Sequence, residues 1–237
     1  MKDAEALKRQ AAEEAASAVQ SGMVVGLGVG STAVWAVRRI AARIRAGELQ
    51  AVLGIPCAES VAAEARSLGI PLTTLEDHPK IDLTIDGADE VDPALNLIKG
   101  GGGALLREKI VAQASEHEII VIDESKLSPR LGERWALPVE VTPFGWGAQL
   151  TFLQDLGAEV SRRLDSEGHL FYTDQGNLIL DCAFGPMDDP AALARRLEGR
   201  AGIVEHGLFL GLANEVIVAT SQGLQRLSKG DANPAAL

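Results

Sequence analysis

The sequence predicts an α/β protein: a mostly parallel, Rossmann-like sheet with helices on both faces, joined to a small α+β domain of ferredoxin-like type. Three observations carry that expectation. The first part of the chain alternates short apolar runs ("MVVGLG", "AVLGI", "IDLTID", "EIIVID") with amphipathic stretches of helical spacing. From about Leu137 the style changes to strand, helix, two strands, helix, strand, the order of a split βαβ unit. The later segment "NEVIVAT" then reads as one more strand rejoining the first sheet.

Taken in order, a helix runs to about Gln20 and leads into the strand "MVVGLG", and a second helix starts at Ser31. The strand "AVLGI", a helix over "AESVAAEARSLG" and the strand "IDLTID" follow. Four glycines then precede a helix over "ALLREKIVAQAS" and the strand "EIIVID". In the second part, "LPVEVTP" reads as a strand and "WGAQLTFLQDLG" as a helix. Short strands near "EVSRRLD" and "NLILDCAF", a helix over "PAALARRLEGR" and a strand in "GIVEHGLFL" complete it. The expected domains are 1–134 with 210–237, and 135–209. After "NEVIVAT" a short helix over "GLQRL" and a frayed "SKGDANPAAL" are expected.

Composition narrows the classes of function. The chain has 237 residues, 46% hydrophobic and 23% charged, enough for a sizeable core without an apolar run of membrane-spanning length. The first twenty residues are charged and lack the apolar centre of a signal peptide, so a cytoplasmic protein without a membrane partner is expected. A net charge of −11 and no Lys/Arg cluster speak against a nucleic-acid partner. Cys57 and Cys182 read as reduced core thiols. His78, His117, His169 and His206 are too scattered for a zinc motif, and no metal is expected.

In a parallel sheet, ligands sit beyond the carboxyl ends of the strands, which puts the residues after "VVGLG" and "DLTID" on one rim. "GLGVGSTA" there is neither the dinucleotide fingerprint nor a P-loop. Its Gly26, Gly28 and Gly30 let backbone approach a ligand, and Ser31 and Thr32 open a helix whose free N–H groups suit a phosphate, although Ser31 is equally an ordinary N-cap. In "TIDGADEVD" Asp86 ends an apolar strand, Gly87 follows, and Asp89 comes two residues later. A carboxylate placed there costs desolvation unless paired, so function is favoured over turn chemistry, while Glu90 and Asp92 read as solvated.

The stretch "IKGGGGALLREK" separates Lys99 from Glu108 by a loop containing Gly100, Gly101 and Gly102, whose N–H groups can surround an anionic oxygen. Glu108 lies near the start of a helix, where the backbone dipole favours its ionised form. Its ordinary alternative is an exposed partner for Lys109 or Arg107. Lys126 in "VIDESKL" follows another strand end on the same rim, where it offers a point charge to a phosphate or reads equally as a solvated lysine.

Together "GLGVGSTA", "DGADEVDPALNLIKGGGGALLREKI", "DESKL", "LPVEVTPFGW" and "GIVEHGLFLGLANEVIV" closely resemble the type A ribose-5-phosphate isomerases over nearly the whole chain. The resemblance implies interconversion of ribose 5-phosphate and ribulose 5-phosphate, without cofactor, by a homo-oligomer that is most often a dimer. It casts Glu108 as the base moving a proton between C1 and C2, with Asp86, Asp89 and Lys99 around the reacting oxygens. Ser31, Thr32 and Lys126 look like the phosphate site, with Lys8 as a further candidate. Val29 and Cys57 stand where the family usually has threonine. Two rivals remain: a sugar-phosphate-sensing module, for which the stretch before the first strand is too short to hold a DNA-binding helix-turn-helix, and a deaminase- or lactonase-like sugar-phosphate enzyme.

Overall fold

A computed structural model describes residues 4–229. The chain runs through α1 (Ala4–Ser17), β1 (Val24–Leu27), α2 (Ala33–Arg45), β2 (Leu53–Pro56), α3 (Glu59–Ser67) and β3 (Leu83–Asp86). It continues with β4 (Glu90–Val91), β5 (Leu97–Ile98), α4 (Leu105–Ala114), β6 (Glu118–Asp123) and a short 3-10 turn at Glu124–Lys126. The second part holds β7 (Leu137–Val141), α5 (Trp146–Asp155), β8 (Glu159–Arg162), β9 (Leu178–Ala183), α6 (Pro190–Glu198) and β10 (Ile203–His206). The last elements are β11 (Leu208–Phe209), β12 (Glu215–Thr220) and β13 (Gly223–Ser228).

Six strands form the main sheet in the order β13-β12-β6-β3-β1-β2, parallel throughout except for β13. Alternation along β6 explains its layers. Ile119 and Val121 pack on one face with α1 and α2, while Ile120 and Ile122 pack on the other with Ala112 of α4 and Phe209. In α2 the buried positions Ala33, Ala36, Val37, Ile40 and Ala41 fall at helical spacing and give it a single apolar stripe. The strand order reverses between β1 and β3, the point where such sheets open a crevice beyond their strand ends.

The second part is a four-stranded antiparallel sheet, β10-β7-β9-β8, covered by α5 and α6 around its own apolar cluster of Val139, Leu153, Leu180 and Leu197. Strand order and connectivity are those of the expected ferredoxin-like module. A three-stranded sheet, β11-β5-β4, joins the two parts and was not expected. It arises because "GIVEHGLFL" divides at Gly207, whose N–H bonds Pro138 while its carbonyl accepts from Lys99 N–H.

"GLQRL" is not a helix. Gly223 turns the chain directly after β12, and the segment pairs with β12 along its full length, from Thr220↔Gly223 to Glu215↔Ser228. Five residues are too few to sustain an isolated helix, whereas the open edge of β12 offers a hydrogen-bond ladder. The segment expected to fray lies outside the described residues from position 230 onward. No helix among the described residues is long and apolar enough to cross a membrane.

Candidate active site

The rim at the strand reversal encloses a cavity of about 130 Å³. The first glycine loop supplies Val29, Gly30, Ser31 and Thr32 to its wall. Gly87, Asp89 and Lys99 come from the loops around β3 and β5, and Gly100, Gly101, Gly102 and Glu108 from the second glycine loop and α4. Lys8 of α1 and Lys126 of the 3-10 turn complete it. Three expected residues, Gly26, Gly28 and Asp86, are absent from the wall. Asp86 sits behind it, fully buried, and Gly28 packs against Asp86 so tightly that an added Cβ would lie 2.3 Å from Asp86 Oδ1. Gly28 is thus required by packing rather than by direct access to the cavity.

Lys99 is the centre of the charge arrangement. It is 1% exposed, yet its ammonium donates to Glu108 Oε1 at 2.8 Å and to the carbonyl of Gly87, and lies 2.9 Å from Asp86 Oδ2. Burial works against this charge, but the carboxylates of Asp86, Glu108 and Glu118 outweigh burial and hold the ammonium above its ordinary pKa. The ring of Phe209 lies 5.5 Å from the same nitrogen. Asp86 is held in place by N–H donors from Val29 at 3.0 Å and Gly87 at 2.7 Å, both on its Oδ1.

Glu108 corrects an expectation. It lies at the fourth residue of α4, but the dipole does not keep it readily ionised: burial first, and the neighbouring Asp86 charge, push its carboxyl up to about 8, against the pull of Lys99. Its Oε2 has no hydrogen-bond donor among the described residues. Nor does it pair with its chain neighbours, since Arg107 reaches Glu59 at 2.8 Å and Lys109 reaches Glu205 and the carbonyl of His206. Asp89 is also raised, by burial, against the Gly101 N–H that donates to its Oδ2 at 2.7 Å and against the charges of Lys99, Lys126 and Arg163. Only glycine fits at 101, because a Cβ there would stand 2.5 Å from Asp89 Oδ1.

At the other end of the cavity, Lys8 Nζ lies 3.5 Å from Ser31 Oγ and 3.7 Å from Asp123 Oδ2. Burial opposes ionisation of Asp123, but the Ser125 hydroxyl and N–H together with Lys8 and Lys126 hold its carboxyl below the usual value. Thr32 precedes α2 without a side-chain cap bond, leaving its hydroxyl uncommitted to the helix. Hydroxyls, a helix N-terminus and two lysines thus face one end of a small cavity whose other end holds acids around a buried ammonium.

Several residues escaped the sequence reading. Glu90 is not solvated: it is fully buried and accepts N–H bonds from Gly132 at 2.9 Å and Arg134 at 3.0 Å. Asp92 organises its own turn by accepting from Ala94 N–H at 2.9 Å and Asn96 N–H at 2.8 Å. Arg163, which reaches the second glycine loop, carried no local signal, although its partner Asp181 interrupts the apolar strand "NLILDCAF" much as Asp86 ends β3. Val29 lines the cavity with an apolar side chain, whereas Cys57 is buried away from it among Ile55, Ile81 and Val111, its thiol pushed up by burial. Among the described residues, no group of three His, Cys, Asp or Glu side chains converges as a metal site.

Fold and site together define an α/β enzyme with a small cavity beyond the ends of its parallel strands, where carboxylates gather around a buried lysine. The family model for ribose 5-phosphate isomerase A (phosphoriboisomerase A) matches residues 53–223, and the chain belongs to that family. The ribose-5-phosphate isomerase A of Chloroflexus aurantiacus is 58% identical over 96% of this chain and 95% of its own length. Among solved structures, the ribose 5-phosphate isomerase of Plasmodium falciparum superposes with a TM-score of 0.92 at 40% identity, covering 95% of this chain and 99% of that one. A D-ribose-5-phosphate isomerase in complex with phospho-erythronic acid superposes with a TM-score of 0.93 at 36% identity, covering 95% and 99%.

Proposed function

We infer that the chain interconverts D-ribose 5-phosphate and D-ribulose 5-phosphate, a step of the non-oxidative pentose phosphate pathway, through an enediolate. The observation that carries the reading is the buried Lys99 ammonium shared by Glu108 and Asp86 beside the cavity. Isomerisation removes a carbon-bound proton next to a carbonyl and returns it one carbon away. Glu108 takes the proton from C2 of the open-chain aldose and returns it to C1, so it ends the cycle ionised as it began. A carboxyl poised near 8 suits that exchange near neutral pH, because it can both accept the proton and release it.

Lys99 and the N–H groups of the second glycine loop stabilise the negative oxygen of the enediolate. Asp89, facing the cavity with a raised carboxyl, trades the hydroxyl proton between O1 and O2, while Asp86 stays behind and keeps Lys99 charged. Ser31, Thr32, Lys126 and Lys8 hold the phosphate. The step asks for no cofactor or metal. We further propose residues 1–134 with 210–237 as the catalytic domain and 135–209 as the second, in a cytoplasmic homodimer, which light scattering would test.

The testing experiment is formation of ribulose 5-phosphate from ribose 5-phosphate, followed by ultraviolet absorbance, in deuterated solvent. Turnover with deuterium washed into C1 of the ketose or C2 of the aldose is expected. A protein that binds the sugar phosphate without converting it would move the reading to a sensor, and release of an amine or opening of a lactone from related substrates would move it to the rival enzymes.

A further inference from the structure

The connection from β8 to β9 in the second module lies against the glycine loop of the first. Arg163 follows β8 directly, and Asp181 of β9 holds its guanidinium in a two-pronged pair, Nε to Oδ2 at 3.0 Å and Nη2 to Oδ1. The remaining nitrogen, Nη1, donates to the carbonyls of Gly100 at 2.6 Å and Gly101 at 3.1 Å. A trans peptide carries its C=O and N–H on opposite sides. Tying these two carbonyls outward therefore turns the amides of Gly101 and Gly102 inward. Gly101 N–H meets Asp89, and Gly102, whose N–H has no protein acceptor among the described residues, lines the cavity.

The same connection is itself anchored. Phe171 donates its N–H to the Arg163 carbonyl at 3.1 Å, and its ring fills the space beside Gly103, where a Cβ would lie 2.3 Å away. Further along, Thr173 and Asn177 both donate to the buried Glu140 Oε1, at 2.9 and 2.8 Å, and Asp174 accepts from Glu59 N–H at 2.9 Å. Arg163 is absent from the cavity wall, so it touches no ligand there and acts through the backbone it holds and the charge it sets near Asp89. The geometry needs an arginine: one planar fork serves a carboxylate and two carbonyls at once, which an ammonium on a flexible stem cannot reproduce.

We propose that Arg163 is a positioning residue for the isomerisation, setting from the second module the peptide planes of Gly100 to Gly102 so that Gly101 N–H holds Asp89 and Gly102 N–H faces the reacting oxygen. The inference rests on the isomerase reading above. It has a signature that a merely structural tie lacks. The Gly101 N–H and the Arg163 charge both lower the Asp89 carboxyl against burial, so loss of Arg163 raises it further and carries a pH limb with it.

The test uses the full chain, comparing wild type with Arg163→Gln, Arg163→Lys and Asp181→Asn for kcat, KM and the pH dependence of kcat/KM. Arg163→Gln should lose on the order of 10²-fold in kcat, the cost of misplacing reacting groups by about an ångström, with a much smaller change in KM. The break in its acid limb that Asp89 sets, distinct from the Glu108 midpoint near 8, should move to higher pH. Arg163→Lys should recover part of kcat, and Asp181→Asn should shift both quantities in the same direction as Arg163→Gln but less. If Arg163→Gln does not fold, the other two variants carry the same comparison. Folded variants with wild-type kcat and an unmoved acid limb overturn the inference alone; a wild type inactive on ribose 5-phosphate overturns the functional reading, and the inference with it.

Discussion

Glu90 and Glu108 are both buried acids, and their oxygens are used differently. Glu90 spends its two oxygens on the N–H groups of Gly132 and Arg134, which tie the three-stranded sheet to the segment leading into the second module. Glu108 spends one oxygen on Lys99, keeps the other without a donor and borders the cavity. Residue type and burial are shared, so neither decides the role. What separates a strut from a reagent is whether the lone pairs are already occupied.

The largest expected effect separates the two acids by rate. Glu108→Gln should lower kcat by on the order of 10² to 10⁴-fold, the usual contribution of a positioned general base, and abolish deuterium exchange while a phosphorylated inhibitor still binds. Near-normal exchange would move the base to Asp89. In wild type, kcat/KM should rise with pH towards a midpoint near 8, because Glu108 must be ionised to accept the proton. Stability runs the other way. A carboxyl raised on folding contributes stability that is full below the ordinary carboxylate range and lost as pH rises through about 8, so Glu108→Gln should flatten that part of the pH dependence of unfolding.

Glu90→Gln inverts the pattern. An amide can accept from only one of the two N–H groups and presents its own donors to the other, so unfolding free energy should drop by about 1–3 kcal/mol with kcat of the folded protein retained. Denaturant titration and active-site-normalised rates measure the two halves. A loss of kcat comparable to that of Glu108→Gln would collapse the distinction.

A smaller effect belongs to the far end of the cavity. Lys126→Met, or alanine at both Ser31 and Thr32, should raise KM by about tenfold, roughly 1.4 kcal/mol of binding, with less effect on kcat. Unchanged kcat/KM in these variants would remove the phosphate assignment. The smallest expectation is zero: exhaustive dialysis against EDTA should leave turnover as it was, and restoration of lost activity by one added metal would add an ion that the carboxylates and Lys99 are here taken to do without.

Much of this was legible in the sequence because the relevant signals are local. Asp86 is conspicuous as an acid ending an apolar strand, and the run of glycines beyond Lys99 is conspicuous in any context. Asp86 and the first glycine loop share a rim by a rule about parallel sheets, whose carboxyl strand ends lie on one side, whereas the glycines beyond Lys99 follow β5 of the antiparallel three-stranded sheet. Glu90 reads the same as Asp92 along the chain, and only the distant Gly132 and Arg134 distinguish them. Beyond its first glycine "GLQRL" carries no helix-breaking residue, and the open edge of β12 made it a strand.

By itself the sequence determined the fold class, the split into a parallel sheet and an antiparallel module, and many of the residues that the structure brings to the cavity wall. Periodicity, turn residues and strand ends are properties of neighbouring positions. Only the tertiary structure decided that Glu108 is held near 8 rather than ionised by its helix, that Asp86 stands behind Lys99, and that Arg163 from the second module grips the glycine loop of the first. Each depends on desolvation or on a partner far away in the chain. Those interactions act through space, and they exist only after the two parts have packed together.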